Sequence, residues 1–174
     1  MAASSDAGPL IWLGKCDILH LLNKLYFEIL IPEAVNEEAV IRGLEKGYAD
    51  AQVIDKAIEE GWIRVYKPKI QFTDKVEDME ARLGIELGKG EREATAIALE
   101  KETAIFLTND EDAYQVGTSL DLKPKGVLYV LLRSVKEGYL NKRQAKESLR
   151  HMLEEGFWLS PTIIHNFHEG LDRR

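Results

Sequence analysis

Ala104-Ile105-Phe106-Leu107-Thr108 is the clearest buried strand in the chain: an uncharged, β-rich run that stops at Asn109-Asp110-Glu111-Asp112. Those acids begin a helix near Asp110 that runs to about Gly117, and Leu120 to Pro124 follows as a short last strand. Upstream, the glycine-marked turn Leu87-Gly88-Lys89-Gly90-Glu91 opens a helix through Ala94, Ala96, Ile97, Ala98 and Leu99. Further out, Phe27 to Ile31 is another short strand, stopped by Pro32 and followed by a helix carrying Val35, Ala39, Val40 and Leu44, which ends near Gly47. A helix from about Asp50 to Glu60, ended by Gly61, leads into a strand at Trp62 to Tyr66. Thr73 to Leu83 is predicted helical, with Thr73 as its N-cap. Before Asp6, the residues Ala2-Ala3-Ser4-Ser5 stand where a first strand belongs, although they are less apolar and less β-branched than a buried strand requires. Pro9 then sits in the first turn of a helix with Leu10, Leu13, Leu21 and Leu22 at roughly helical spacing.

Strands alternating with helices predict a parallel sheet between helical layers. The expected fold is α/β, a three-layer α/β/α sandwich over residues 1–125, with a helical C-terminal extension over residues 126–174 in the same single domain. That extension reads as three helices, the middle one opened by a capping box of Asn141 and Gln144.

Composition narrows the class. The chain has 174 residues, 45% hydrophobic and 30% charged, with too few prolines and glycines for a disordered or fibrous protein. No apolar run approaches the ~20 residues that cross a bilayer, and no secretory leader is visible, so a cytoplasmic protein away from membranes is expected. The single Cys16 can form no internal disulfide. The net charge of −7 argues against a surface coated in positive potential for duplex DNA. It conceals a segregation: −10 over residues 1–120 and +3 over residues 121–174. Lys123, Lys125, Arg133, Lys136, Lys142, Arg143, Lys146 and Arg150 supply the basic part, and they are the expected RNA phosphate contacts if they edge the acidic site.

In an open parallel sheet, ligands bind beyond the carboxyl ends of the strands. Four acidic positions fall there in this chain: Asp6 after the first strand, Glu37 or Glu38 after Ile31, Glu91 opening its helix, and Asp110 beyond Thr108. Singly, each also suits a helix cap or a first-turn dipole partner. Together they form an all-oxygen pocket suited to Mg²⁺ or Mn²⁺ and to phosphodiester hydrolysis. The histidines offer no completed metal pattern, and Leu87 to Glu91 lacks the spacing of a Walker loop.

The ordered set Asp6-Ala-Gly-Pro-Leu-Ile11, Ile31-Pro-Glu-Ala-Val-Asn-Glu-Glu38, Leu87-Gly-Lys-Gly-Glu-Arg-Glu-Ala94 and Phe106-Leu-Thr-Asn-Asp-Glu-Asp112 resembles the PIN-domain superfamily. Gly138-Tyr-Leu140 and Glu155-Gly-Phe-Trp-Leu-Ser160 extend the match to VapC-like prokaryotic PIN proteins with a helical C-terminal extension. The resemblance implies an Mg²⁺- or Mn²⁺-dependent endoribonuclease whose acidic quartet is Asp6, Glu38, Glu91 and Asp110. Glu37 and Glu93 are the neighbouring alternatives, and Asp112 an auxiliary ligand. Thr108 matches the family's hydroxyl residue and Asn109 an outer donor to the ligands. Implied too are an RNA substrate, a toxin role with an antitoxin partner, and a homodimer; Val127, Val130, Leu131 and Val135 suit part of its interface or core packing equally well. Two of the quartet are Glu rather than Asp, so a catalytically degenerate RNA- or protein-binding relative is the alternative.

Overall fold

A computed structural model describes residues 1–173. Its centre is a five-stranded parallel sheet in the order β3-β2-β1-β4-β5. The strands are β1 (Ala2–Ser5), β2 (Glu28–Ile31), β3 (Ile63–Val65), β4 (Ile105–Leu107) and β5 (Pro124–Lys125). Between and after them run α1 (Ala7–Lys15), α2 (His20–Leu25), α3 (Glu33–Asn36), α4 (Arg42–Glu45), α5 (Ala49–Glu59), α6 (Ile70–Leu83), α7 (Lys89–Lys101) and α8 (Glu111–Ser119). The C-terminal helices are α9 (Val127–Lys136), α10 (Lys142–Glu154) and α11 (Pro161–Asp172).

The least strand-like segment of the sequence is the middle strand. Ala3, Ser4 and Ser5 are completely buried, with β2 on one side and β4 on the other. Small side chains belong there because α7 lies close against the strand. The Ser4 hydroxyl donates to the Ala94 carbonyl at 2.5 Å, and α7 brings Ala94, Ala96 and Ala98 to the interface, all at 0% exposure. Hydroxyls cost nothing in such a place when they find a carbonyl at once. Strand preference is largely a preference for filling space, and here close packing demanded the reverse.

Alternation along β4 divides the core. Ile105 and Leu107 join a cluster with α1, α2, α5 and the C-terminal helices, whereas Phe106 packs on the other face with α6, α7 and α8. Val127, Val130 and Leu131 of α9 are completely buried in the first cluster. Hence α9 is a packed layer of the sandwich, and these three side chains are spent on the chain's own core rather than offered to a second copy.

Four boundaries differ from expectation, the first being the run from Pro9 to Leu22, which breaks into α1 and α2 around Asp17, whose φ is 56°. α6 begins at Ile70, with Lys69 rather than Thr73 at its N-cap, and it ends on Gly84, whose φ of 66° suits a residue without Cβ. The last strand contracts to Pro124–Lys125. The helix after β2 is interrupted: α3 and α4 are joined by a π-helical turn at Glu37–Ile41.

One ion pair pins the turn that leads into α7. Arg92 donates from Nε to Glu80 Oε2 at 2.6 Å and from Nη2 to Oε1 at 2.9 Å, while the Leu87 amide donates to the same Oε1 at 2.6 Å. Arg92 also reaches the Leu87 carbonyl at 3.1 Å. Burial raises the Glu80 pKa, but these hydrogen bonds outweigh it and hold the carboxyl below its usual range. Arg92→Met leaves a carboxylate that is only 4% exposed without its partner, and is expected to cost about 3–5 kcal/mol in chemical denaturation. Adding Glu80→Met to that variant should restore most of the loss; a double variant no more stable than the single would show that the pair is not what holds this turn.

Candidate active site

Because all strands of the sheet are parallel, residues immediately following β1, β2 and β4 gather at one edge. Asp6 follows β1 directly, and its backbone N–H continues the ladder by donating to the Leu107 carbonyl at 3.1 Å. It occupies the N-cap position of α1 yet makes no capping hydrogen bond. Its carboxylate turns instead to Thr108, whose hydroxyl donates to Oδ2 at 2.5 Å. The Thr108 oxygen in turn accepts from the Asp110 N–H at 3.1 Å, so one hydroxyl links the ends of β1 and β4.

The other oxygen, Asp6 Oδ1, is buried with no partner. Asp6 as a whole is 3% exposed. Burial pushes its pKa up to about 8; the Thr108 hydroxyl opposes that, the charges of Glu91 and Asp110 add to it, and the nearby Gly8 N–H, too poorly placed for a full hydrogen bond, lowers it slightly. Nearby, Asn109 Oδ1 accepts from the Val127 N–H at 2.9 Å and so ties the start of α9 to the end of β4. Asn109 Nδ2 is left buried and unpartnered. Both orphaned atoms face Gly8, where an added Cβ would lie 3.7 Å from Asn109 Nδ2 and 3.8 Å from Asp6 Oδ1.

Glu91 stands in the first turn of α7. Its carboxylate folds back over Gly88, where a Cβ would overlap it, so the glycine-marked turn leaves room for an acid. Glu38 reaches the same turn from the other side: a Cβ on Gly90 would come within 3.8 Å of its Oε2. Partial burial and then the Glu91 charge raise the Glu38 pKa, with Arg42 pulling it down. Glu37 faces elsewhere, in an exposed ion pair with Arg42 at 3.7 Å. Glu37 and Glu38 both lie in the π turn, and π turns recur at functional sites.

Asp110 does two things. It caps α8 by accepting from the Ala113 N–H at 2.8 Å, and its charge acts on Asp6. Asp112 is exposed one residue into that helix, and Glu93 is half-buried on α7; neither is among the groups that shift Asp6 or Glu38. The arrangement is thus an open chain of electrostatic contacts, Glu38 to Glu91 to Asp6 to Asp110. Among the described residues no three His, Cys, Asp or Glu side chains close into a ready-made ion cage. Like charges hold such groups apart until a cation offsets them.

The basic residues of the C-terminal third lie elsewhere than expected. Lys123, Lys125 and Arg133 line a cleft with Met1, Ala104 and Tyr26, which precede β1, β4 and β2. That is the amino edge of the sheet, opposite the acids. Lys136 and Lys142 line the adjoining hollow, and Arg143 lies with Lys146 and Arg150 on the surface of α10. For Arg133 and Lys136 the physical reason is the direction of α9, which starts beside Asn109 and runs back; Lys123 precedes β5, and Lys125 is its last residue, paired in the sheet with Leu107. Sequence reasoning also missed Arg42, for which the signal was a cation one helical turn after Glu38. Cys16 is a packing residue: burial pushes its thiol up to about 11, and Sγ donates to the Ser148 carbonyl at 3.6 Å.

No helix among the described residues is long and apolar enough to cross a membrane. No curated protein matches the chain. A family model described as a PIN domain does match it, over residues 3–172. That span takes in the sheet, the acidic edge and all of the C-terminal helices. With its parallel sheet, its helical layers and its carboxylates at one edge, the chain belongs to the PIN-domain family, whose fold is of nuclease type.

Proposed function

We propose that this chain is a metal-dependent endoribonuclease, with Mg²⁺ or Mn²⁺ held by Asp6, Glu91 and Asp110 and approached by Glu38. The observation that carries the reading is Asp6 Oδ1, a carboxylate oxygen buried without a partner among other carboxylates. A structural acid in that place would be capped, paired or replaced by an amide; an unsatisfied one is costly unless something binds it. The donor set is entirely oxygen, which suits a hard divalent cation. Such a cation, when bound, acidifies a water and offsets charge on a phosphoryl group.

The chain's own residues do the rest. Thr108 fixes Asp6 in one orientation and leaves Oδ1 free. The Asp110 backbone is tied to the same hydroxyl, so both acids keep a set separation. Asn109 Nδ2 is a donor available to a substrate oxygen or to a bound water. Glu38, exposed beside Glu91, has a raised affinity for protons and is suited to accept one from the attacking water. Single-stranded RNA is the proposed substrate, since an unstacked strand enters an edge cleft more readily than a duplex. The toxin role and the antitoxin partner rest on the family resemblance.

Two experiments test this reading. With Mn²⁺ and a labelled single-stranded oligoribonucleotide, Asp6→Asn and Asp110→Asn should each lower cleavage by about 100-fold or more, and Thr108→Val by about 10–100-fold. Cleavage that survives both acid substitutions unchanged would overturn the assignment, and RNA binding without cleavage by the wild type would favour a degenerate binding module instead.

The second uses stability. The folded-state pKa of Asp6, about 8, lies above its ordinary carboxylate value, so the folded chain holds this proton more tightly than the unfolded one. The stability linked to that proton is full in acid, and it is lost as pH rises through about 8. In EDTA the Tm of the wild type should therefore fall by several degrees more than that of Asp6→Asn between pH 5 and pH 9. At pH 8, Mn²⁺ should raise the wild-type Tm and leave the variant nearly unmoved; equal shifts in both proteins would remove Asp6 from the metal site.

A further inference from the structure

The amino edge of the sheet carries a second site of opposite charge. A cleft of about 580 Å³ opens there between the strand ends, α2 and α9. That volume lies within the range of small-molecule sites. Lys24, Lys123, Lys125 and Arg133 line it, with Glu137 as the one acid. Glu137 is already engaged by Arg133 at 2.8 Å. Among the described residues Lys24, Lys123 and Lys125 pair with no carboxylate, although the chain as a whole carries seven negative charges in excess. Three ammonium groups facing one hollow repel one another, and an anion there relieves the repulsion.

Aromatic rings alternate with the cations. Lys125 Nζ lies 5.3 Å from the Tyr129 ring centre, and Lys24 Nζ the same distance from that of Tyr139. The Tyr139 hydroxyl reaches the Lys24 carbonyl at 3.5 Å, which draws the turn after α9 toward the end of α2. Tyr26 forms part of the wall and is itself buried at 5% exposure. A bare phosphate or sulfate needs only the cations. Rings flanking them add flat faces on which a base stacks, the combination that proteins use for nucleotides.

We propose that this cleft binds a nucleoside phosphate, with the phosphate on Lys24, Lys123, Lys125 and Arg133 and the base against Tyr129 or Tyr139. The ligand is either a free nucleotide or one nucleotide of a single-stranded RNA. The site lies at the opposite end of the strands from Asp6 and Asp110, so it stands whether or not the acidic edge cuts RNA.

The test titrates the full-length wild-type chain, in EDTA to prevent hydrolysis, with AMP, ATP and ribose 5-phosphate by calorimetry, and with a fluorescein-labelled ten-nucleotide uridine RNA by anisotropy. Binding of AMP or ATP that weakens at least tenfold in Lys123→Gln/Arg133→Gln, and at least threefold in Tyr139→Ala, identifies a free nucleotide as ligand. The same losses for the RNA alone identify a strand. Lys46→Gln/Lys56→Gln, with the same charge removed from exposed lysines outside the cleft, is the control and should bind as the wild type does. Absence of binding by every probe, ribose 5-phosphate binding as tightly as AMP, or equal weakening in the control would each overturn the proposal. Matching thermal transitions show that the variants are folded; should Lys123→Gln/Arg133→Gln unfold, Lys24→Gln/Lys125→Gln replaces it under the same criteria.

Discussion

The placing of one carboxylate organises this structure. Asp6 stands at the end of the central strand, covered by the layers on both sides, with one oxygen satisfied by Thr108 and the other by nothing. Burying an acid this way is expensive, because its charged form loses water that a single hydroxyl does not replace. The sandwich meets that cost through everything around it, and under the proposed function a cation on the free oxygen would offset it. The site is therefore a weak point in folding and the source of the proposed chemistry at once.

The elements around Asp6 are arranged to bring acids close without closing on them. β1 is made of Ala and Ser so that α7 can approach, and α7 carries Glu91 in its first turn. The Glu80–Arg92 pair holds the turn before α7, and the glycines at 88 and 90 leave space for the carboxylates of Glu91 and Glu38. The π turn after β2 sets the direction of Glu38 and leaves Glu37 to solvent and Arg42. Each is a local solution to the same problem, that of holding like charges near each other at the end of a parallel sheet.

Charge is sorted by strand direction. Acids gather at the carboxyl edge after β1, β2 and β4 and in the first turn of α7, whereas Lys24, Lys123, Lys125 and Arg133 line the cleft at the amino edge. A strand of four residues is about 13 Å long, so the two groups of charge are separated by the length of the sheet. A net charge of −7 averages over both and describes neither.

The amino-acid sequence by itself determined the class of fold, because strand and helix periods alternate from Phe27 to Leu122 and only parallel pairing with helical crossovers accommodates that order. It also marked four acids as candidates by what stands beside them: Gly8-Pro9 after Asp6, Pro32 before Glu38, the glycine turn at Glu91 and the strand ending at Thr108 before Asp110. It could not show β1 as the middle strand: Ala2-Ala3-Ser4-Ser5 has no strand signature, and its place depends on how closely α7 packs. Nor could it choose between capping and binding for Asp6 and Asp110, which both occupy N-cap positions while only Asp110 caps. The tertiary structure alone decided that Lys123, Lys125 and Arg133 line one cleft, because linear order carries no record of which side chains meet once β5 and α9 are packed. Sequence encodes what each element can be through local periodicity and chemistry; the partner of each side chain is set by packing between elements distant in the chain.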